Sequence, residues 1–240
     1  FNQGVAAHKA GADVTMVTKL GRDTFADIAL NTMKELGMKQ DRILYSDDTE
    51  TGCALIMVDE NTSQNEIVVI LGSCNTISDA EVDSLEDLLD GCEYMLTQLE
   101  TNVSSVERIV DIACKKGVKV ILNTAPVQPI SDELLSKVDL ITPNEVEAEI
   151  LTGVKVDSEE AADKAAEWFF GKGVKRVLIT LGGRGVYINT GDKKGIIPAY
   201  KVNAIDTTGA GDAFNGGLLA ALAEDKDIWE AADFENALAA

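Results

Sequence analysis

The chain of 240 residues is 45% hydrophobic and 26% charged, a composition that predicts one globular domain with a substantial hydrophobic core. Its 21 basic and 41 acidic residues give a formal net charge of -20, which repels nucleic acid and anionic membrane surfaces, so we expect neither as a partner. No apolar run approaches the roughly 20 residues of a transmembrane helix, and the first residues lack the pattern of a signal peptide, so we expect a cytoplasmic protein.

The first third of the chain predicts two helices, a strand and a hairpin. Residues 2–9 have a helical pattern, residues 12–21 resemble a strand, and residues 24–36 form a helical pattern that ends at Gly37. The alternating segments "TGCALIMVDE" and "EIVVIL" then flank the polar turn "NTSQN", which is typical of a β-hairpin. Because no helix accompanies this hairpin, we expect a small accessory sheet at about residues 43–75, inserted in the domain.

The rest of the chain alternates strand and helix patterns. Strands are predicted for "YMLTQLE", "VKVILN", "VDLIT" and "VKRVLIT", with helices at residues 103–116 and 158–172. This order predicts an α/β fold with a mostly parallel sheet, and such sheets bind ligands beyond the carboxyl ends of their strands. Four polar residues stand at or near these ends, namely Glu100, Asn123, Asn144 and Thr180. They favour a site at this edge, although strand ends are also polar simply because they meet solvent.

The segment "TPNEVEAE" predicts a helix start that carries an amide and a carboxylate on one face. Thr142 is a suitable cap with Glu145 three residues on, which explains Glu145 without a function. Asn144 and Glu147 are also three residues apart, so both side chains lie on the same face of the first turn. Oxygen ligands in this position suit a hydrated Mg²⁺ ion. The alternative is that the carboxylates only stabilise the helix start through its dipole.

The segment "DTTGAGDAFNGG" places glycines immediately before an apolar helical pattern. Gly209 and Gly211 allow the backbone to turn and an anion to approach the free N–H groups at the helix start. Asp212 lies in the first turn, beside that anion hole. A carboxylate in this place is suited to take the proton of a hydroxyl that attacks a phosphoryl group, although it is also a common helix cap.

Several other kinds of catalytic site are excluded by the sequence. The single histidine, His8, lies in a predicted helix away from the other candidate residues, so histidine-based triads are not expected. The chain also lacks a P-loop motif, a dinucleotide-binding glycine motif after a strand and the motifs of protein kinases.

Together these motifs resemble those of the ribokinase-type carbohydrate kinases, and the resemblance extends along nearly the whole chain. "DTTGAGDAFNGG" is similar to the family signature over a dozen positions, "TPNEVEAEILTG" to the magnesium and phosphate motif, and "VLITLGGRG" to the nucleotide strand. The start of the chain is similar to the segment after the family's glycine-lysine motif, and the hairpin to its lid. The resemblance implies a three-layer α/β sandwich with a small β lid, comprising residues 1–240 as one domain.

The resemblance also assigns catalytic roles to residues at matching positions. It implies that Asp212 is the base that activates a sugar hydroxyl. It implies an anion hole formed by Gly209, Ala210 and Gly211. It further implies that Asn144 and Glu147 organise Mg²⁺ and phosphate, with the metal held through water.

Substrate-binding roles follow from the resemblance in the same way. It implies ATP as the phosphoryl donor, with contacts from Asn144, Thr180, Gly182, Gly185 and Asn236. It implies that sugar hydroxyls are held by Asn2 and Glu100. It implies a monovalent cation, K⁺, at the backbone carbonyls of Asp206 and Thr208. Ribose is the expected sugar, ribose 5-phosphate the expected product, and a homodimer through the lid the expected assembly.

Two other functions stay open at this stage. A fructokinase-like or nucleoside kinase of the same family would carry the same motifs, because sugar selectivity depends on a few hydroxyl contacts. A noncatalytic sugar or nucleotide sensor would need the pocket alone. Asp212 favours the enzyme, since a sensor has no need of a carboxylate beside the anion hole.

Both ends of the chain fall within helical patterns, so we expect the sequence to be a piece of a longer protein. Compared with the family, it lacks an early strand with a sugar-binding aspartate, the glycine-lysine motif and a carboxyl-terminal loop. "GSCN" also replaces the usual glycine-alanine-asparagine after the lid, with Asn75 kept. We therefore expect residues 1–240 alone to release little ADP with ribose, and a form extended at both ends to turn over.

Overall fold

A six-stranded sheet with helices on both faces forms the centre of the protein, whose computed structural model describes residues 1–58, 65–200 and 208–238. In chain order the elements are α1 (Asn2–Lys9), β1 (Lys19–Leu20), α2 (Thr24–Glu35), β2 (Leu44–Tyr45), β3 (Thr51–Val58), β4 (Asn65–Gly72), α3 (Asp79–Asp83), β5 (Tyr94–Thr97), α4 (Val103–Lys115), β6 (Lys119–Leu122), α5 (Asp132–Ser136), β7 (Leu140–Ile141), α6 (Glu145–Thr152), α7 (Glu159–Gly171), β8 (Arg176–Thr180), β9 (Val186–Asn189), β10 (Lys194–Ile197), α8 (Ala210–Ala223) and α9 (Ile228–Leu238).

The central sheet has the strand order β10-β9-β8-β7-β6-β5. Strands β5 to β8 are parallel to one another, and β9 and β10 complete the sheet as antiparallel neighbours. The predicted α/β fold with a mostly parallel sheet is therefore confirmed. The carboxyl ends of β5, β6, β7 and β8 meet at one edge of the sheet, which is where this architecture places its ligands.

The sheet is buried on both faces because its strands are nearly continuous apolar runs. Val120 and Leu122 of β6 point into a core that also contains Phe169 of α7, whereas Ile121, between them, packs in a second core with Leu218 of α8. All five side chains are buried. The helices thus form two layers around the sheet, and α8 lies in the layer opposite α7.

The predicted strand at residues 12–21 is wrong for most of its length. Among the described residues, only Lys19 and Leu20 of this segment pair with another strand, opposite Leu44 and Tyr45 of β2. A strand needs a hydrogen-bonded neighbour, which an alternating pattern does not supply. Instead the apolar side chains of this segment, such as Met16, pack in a separate small core beside α2.

The predicted hairpin is confirmed by the antiparallel pairing of β3 and β4, in which Leu55 lies opposite Val68 and Ala54 opposite Val69. Its turn, residues 59–64, lies outside the described residues. Large apolar side chains are exposed on both faces of this two-stranded sheet. Across the described ranges of the chain, no helix is both long and apolar enough to cross a membrane. The assignment of residues 1–240 to a single domain stays a prediction.

Candidate functional site

The start of α8 is a turn whose first backbone N–H groups have no partner within the helix. Gly209 caps the helix with φ 79° and ψ 1°, a left-handed conformation that favours glycine. The first backbone N–H to bond within the helix is that of Ala213, which donates to the Gly209 carbonyl at 2.8 Å. Among the described residues, a Cβ atom added at Gly209 or Gly211 would have no neighbouring heavy atom within 4 Å. This geometry is compatible with an anion at the start of α8, and the anion hole stays a prediction.

Two amide side chains of α1 hold the carboxylate of Asp212, one on each oxygen. Nδ2 of Asn2 donates to Oδ2 at 2.9 Å, and Nε2 of Gln3 donates to Oδ1 at 3.0 Å. Asn2 is exposed and Gln3 is buried, so the two donors approach from the solvent side and from the protein interior. The sequence predicted Asn2 as a site residue but missed Gln3. The position of Gln3 directly after Asn2, in the first turn of α1, could have suggested it.

Glu100 lies close to this carboxylate, in the segment that follows β5. Glu100 as a whole is exposed to solvent, although neighbouring protein atoms partly bury its carboxyl group. The resulting loss of hydration raises the pKa of Glu100, and the negative charge of Asp212 raises this pKa further. The structure therefore brings together Asn2, Glu100 and Asp212, which the sequence placed at the sugar and at the reacting hydroxyl.

Asn144 and Glu147 form a reciprocal cap at the start of α6. Oδ1 of Asn144 accepts from the Glu147 backbone N–H at 2.8 Å, and Oε2 of Glu147 accepts from the Asn144 N–H at 3.0 Å. The predicted cap by Thr142 and Glu145 is therefore wrong. Thr142 is buried and its Oγ1 donates to Asn215 at 2.6 Å instead.

The Glu147 carboxylate keeps one oxygen available although the residue is buried. Its Oε2 also accepts from Oγ1 of Thr124 at 3.0 Å, whereas no described residue donates to its Oε1. Burial raises the pKa of Glu147, and the hydrogen bonds from Asn144 and Thr124 oppose this shift. A buried oxygen without a partner suits a cation held through water, so these residues fit the Mg²⁺ ion expected here.

The end of β8 lies beside Asn144. Thr180 forms a parallel bridge with Asn144, and the Thr180 N–H donates to the Pro143 carbonyl at 3.0 Å. The following turn contains Gly182 and Gly185, both with positive φ. Gly185 has φ 100°, and a Cβ atom there would lie 2.6 Å from the Ala199 nitrogen, so only glycine fits. Four of the five residues expected to contact ATP thus lie at the carboxyl edge of the sheet, namely Asn144, Thr180, Gly182 and Gly185.

The remaining predicted site residues are described only in part. Asp206 lies outside the described residues, and Thr208 is in the turn before Gly209. Asn236 belongs to α9, but its side chain also lies outside what the structure describes. Within the described ranges, no three acidic, cysteine or histidine side chains form a cluster that would hold a metal ion directly. The expected potassium site therefore stays a prediction.

The chain is similar to known proteins along its whole length. Residues 1–240 match the pfkB family carbohydrate kinases. The chain is 45% identical to ribokinase from Haemophilus influenzae, and the match covers 100% of this chain and 78% of that relative. It is 36% identical to deoxyribokinase from Salmonella typhi, and this match covers 90% of the chain and 70% of the relative. The solved structure of Arabidopsis thaliana ribokinase complexed with ribose and ATP superposes with a TM-score of 0.89 at 27% identity, covering 99% of this chain and 78% of that one.

Proposed function

Because the chain belongs to the pfkB family of carbohydrate kinases, we propose that it transfers the γ-phosphoryl group of ATP to a hydroxyl of D-ribose and yields ribose 5-phosphate. The observation that carries this proposal is the Asp212 carboxylate in the first turn of α8, where the backbone N–H groups have no partner within the helix. The similarity to H. influenzae ribokinase supports ribose as the sugar. The similarity to S. typhi deoxyribokinase makes deoxyribose the second candidate.

In the proposed mechanism, Asp212 accepts the proton of the sugar hydroxyl while the hydroxyl oxygen attacks the γ-phosphorus. A new oxygen–phosphorus bond forms, the bond to the β-phosphate oxygen breaks, and ADP leaves with that electron pair. The N–H groups of Ala210 and Gly211 stabilise the charge on the transferred phosphoryl group, because they lie in the first turn at the positive end of α8. No covalent enzyme intermediate is required.

The substrates fit around this centre in two groups of residues. The sugar lies against Asn2 and Glu100, whose amide and carboxylate can hydrogen-bond its hydroxyls. The phosphates of ATP lie between the start of α8 and the cap of α6, where Oε1 of Glu147 is available to a water ligand of Mg²⁺. When bound, this ion neutralises charge on the phosphate oxygens. Thr180 continues the same edge towards the nucleotide.

The kinetic measurements use the form extended at both ends, and ADP release with a panel of pentoses, hexoses and nucleosides tests the sugar assignment. We expect ribose to give the highest kcat/KM, followed by deoxyribose, because a site that hydrogen-bonds a hydroxyl leaves polar groups unpaired when the hydroxyl is absent. A highest kcat/KM with fructose or with a nucleoside would overturn ribose as the substrate and leave the kinase assignment in place.

We also propose that the β3–β4 hairpin joins two copies of the chain. Its two faces are both apolar and exposed, with Ile56 and Val69 on one face and Leu55 and Val68 on the other. A two-stranded sheet is marginal in water without a cover. The face with Ile56 and Val69 can close over the sugar while the face with Leu55 and Val68 meets a second copy.

Light scattering at micromolar concentration should therefore report a dimer, and Leu55→Asp should shift it to the monomer because the substitution places a charge in the buried contact. Ile150→Asp on α6 is the matched control, since Ile150 is 62% exposed and Leu55 59%. A monomer of the unmodified protein, or a dimer that Leu55→Asp leaves intact, would contradict the assignment of this interface.

A further inference from the structure

A chain of hydrogen-bonded side chains lies behind Asp212 and connects it to the turn that starts α8. Four of its members carry amides: Gln3, Asn123 and Asn215 are buried, and Gln98 is partly buried. Nε2 of Gln98 donates to Oε1 of Gln3, and Nε2 of Gln3 donates to Oδ1 of Asn123 at 2.9 Å. Nδ2 of Asn123 donates to the Thr142 carbonyl at 2.7 Å, and Oγ1 of Thr142 donates to Oδ1 of Asn215 at 2.6 Å. Nδ2 of Asn215 then donates to the Gly211 carbonyl at 2.8 Å. One end thus reaches the carboxylate of Asp212 through Gln3, and the other reaches the anion-hole turn.

The orientation of the Gln3 amide is fixed by its partners. The Asp212 carboxylate can only accept a hydrogen bond, and Gln98 donates to the Gln3 oxygen, so the Gln3 nitrogen must face Asp212. Both N–H groups of Gln3 are then used, one by Asp212 and one by Asn123, and its oxygen is used by Gln98. Since Gln3 is 3% exposed, water does not compete for these bonds.

The two oxygens of Asp212 therefore differ. Oδ1 is held by the buried Gln3, whereas Oδ2 is held by Asn2 at the exposed side of the site. A sugar hydroxyl approaching from solvent reaches Oδ2 and can replace the bond from Asn2. It cannot replace the bond from Gln3 without displacing a buried side chain that makes three hydrogen bonds.

We infer that Gln3 is a positioning residue for phosphoryl transfer, which holds Oδ1 of Asp212 so that Oδ2 is the oxygen that accepts the proton. This inference rests on the proposed role of Asp212 as the base. Gln3 does not touch the substrate and acts only through the angle and place of the carboxylate. Because a base displaced by about 1 Å can lose on the order of 10²-fold in rate, the Gln3 bond should affect kcat rather than substrate affinity.

The test uses Gln3→Met, which keeps the length of the side chain and removes both donors. We expect kcat to fall by about 10- to 100-fold, while KM for ribose and for ATP changes little. Gln40→Met is the matched control, because Gln40 also donates from a partly buried position, to the Leu30 carbonyl at 2.6 Å, but lies away from the site. A rise in KM at unchanged kcat, or an equal loss of kcat in both variants, would overturn the inference.

A double-mutant cycle with Asp212→Asn separates this inference from the proposed function. If Gln3 acts through the base, adding Gln3→Met to Asp212→Asn should cause no further loss of the residual single-turnover rate, and an additional loss of the same size would overturn the inference. If Asp212→Asn alone keeps a normal kcat, the proposed base is wrong. If Asp212→Asn is inactive and Gln3→Met is fully active, only the inference fails.

Gln3→Leu serves as the second variant if Gln3→Met does not fold. It is apolar and shorter than glutamine, and it donates no hydrogen bond to Oδ1 of Asp212. We expect a loss of kcat similar to that of Gln3→Met, because the same donor is removed. A normal kcat in a folded Gln3→Leu protein would overturn the inference.

Discussion

Replacing Asp212 with asparagine should lower kcat by about 10²- to 10⁴-fold, while ATP still binds, because an amide cannot take the proton of the sugar hydroxyl. The side chain keeps its size, and the N–H groups of Ala210 and Gly211 stay in place at the start of α8. One of the two donors that now face the carboxylate, Asn2 or Gln3, would meet an NH₂ group instead of an oxygen. We therefore expect a small loss of stability beside a large loss of rate.

The rate is measured by ADP release with ribose, and nucleotide binding by calorimetric titration of each variant. Asp225→Asn is the matched control, because Asp225 follows the other end of the same helix and has φ 60°, a conformation that asparagine tolerates. This control should keep a normal kcat. A near-normal kcat of Asp212→Asn would show that the base is another group, and loss of ATP binding in step with kcat would indicate a structural role for Asp212.

Local patterns were sufficient to predict the elements that carry their own chemical signals. The helix at Asn2–Lys9 was predicted with both its ends, and the glycines before Asp212 predicted the open start of α8, because glycine and the first turn of a helix act over a few neighbouring residues. Strands β5 to β8 were found because strands buried on both faces are apolar throughout.

Long-range contacts account for what the sequence missed. The bond from Gln3 to Asp212 joins residues 209 positions apart, and no local pattern indicates which buried amide faces a given carboxylate. The cap of α6 was also misassigned from the sequence, to Thr142. Thr142 was unavailable as a cap because tertiary packing buries it against Asn215, which left the role to Asn144. The strand predicted before α2 failed for the same reason, since its pattern did not show whether a neighbouring strand existed.

The contact that brings Gln3 to Asp212 depends on Gly216, where α1 and α8 cross. A Cβ atom added at Gly216 would lie 2.6 Å from the Ala6 Cβ and 2.8 Å from the Ala7 nitrogen, and closer still to the carbonyl oxygen of Gln3. Real Cβ atoms do not approach other atoms this closely, and two of these three neighbours are backbone atoms. Gly216→Ala must therefore push α1 away from α8.

We expect this single methyl group to cost about 1 to 3 kcal/mol of the free energy of unfolding, the usual range for overpacking in a close-packed interior. Chemical denaturation measures this loss. Gly171→Ala is the control, because Gly171 also lies in a helix but a Cβ atom there would meet nothing within 4 Å. Since alanine is the better helix former, this control should be neutral or slightly stabilising.

The value of kcat distinguishes a displacement of α1 from a loss of stability without displacement. Asn2 and Gln3 lie on the first turn of α1, so a shift of α1 moves both donors away from the carboxylate of Asp212. In conditions where the Gly216→Ala protein is fully folded, kcat should still fall, by up to about 10²-fold for a displacement near 1 Å. If the folded variant kept a normal kcat, the distance between α1 and α8 would not control the base, because the carboxylate would then be held correctly without its two amide donors.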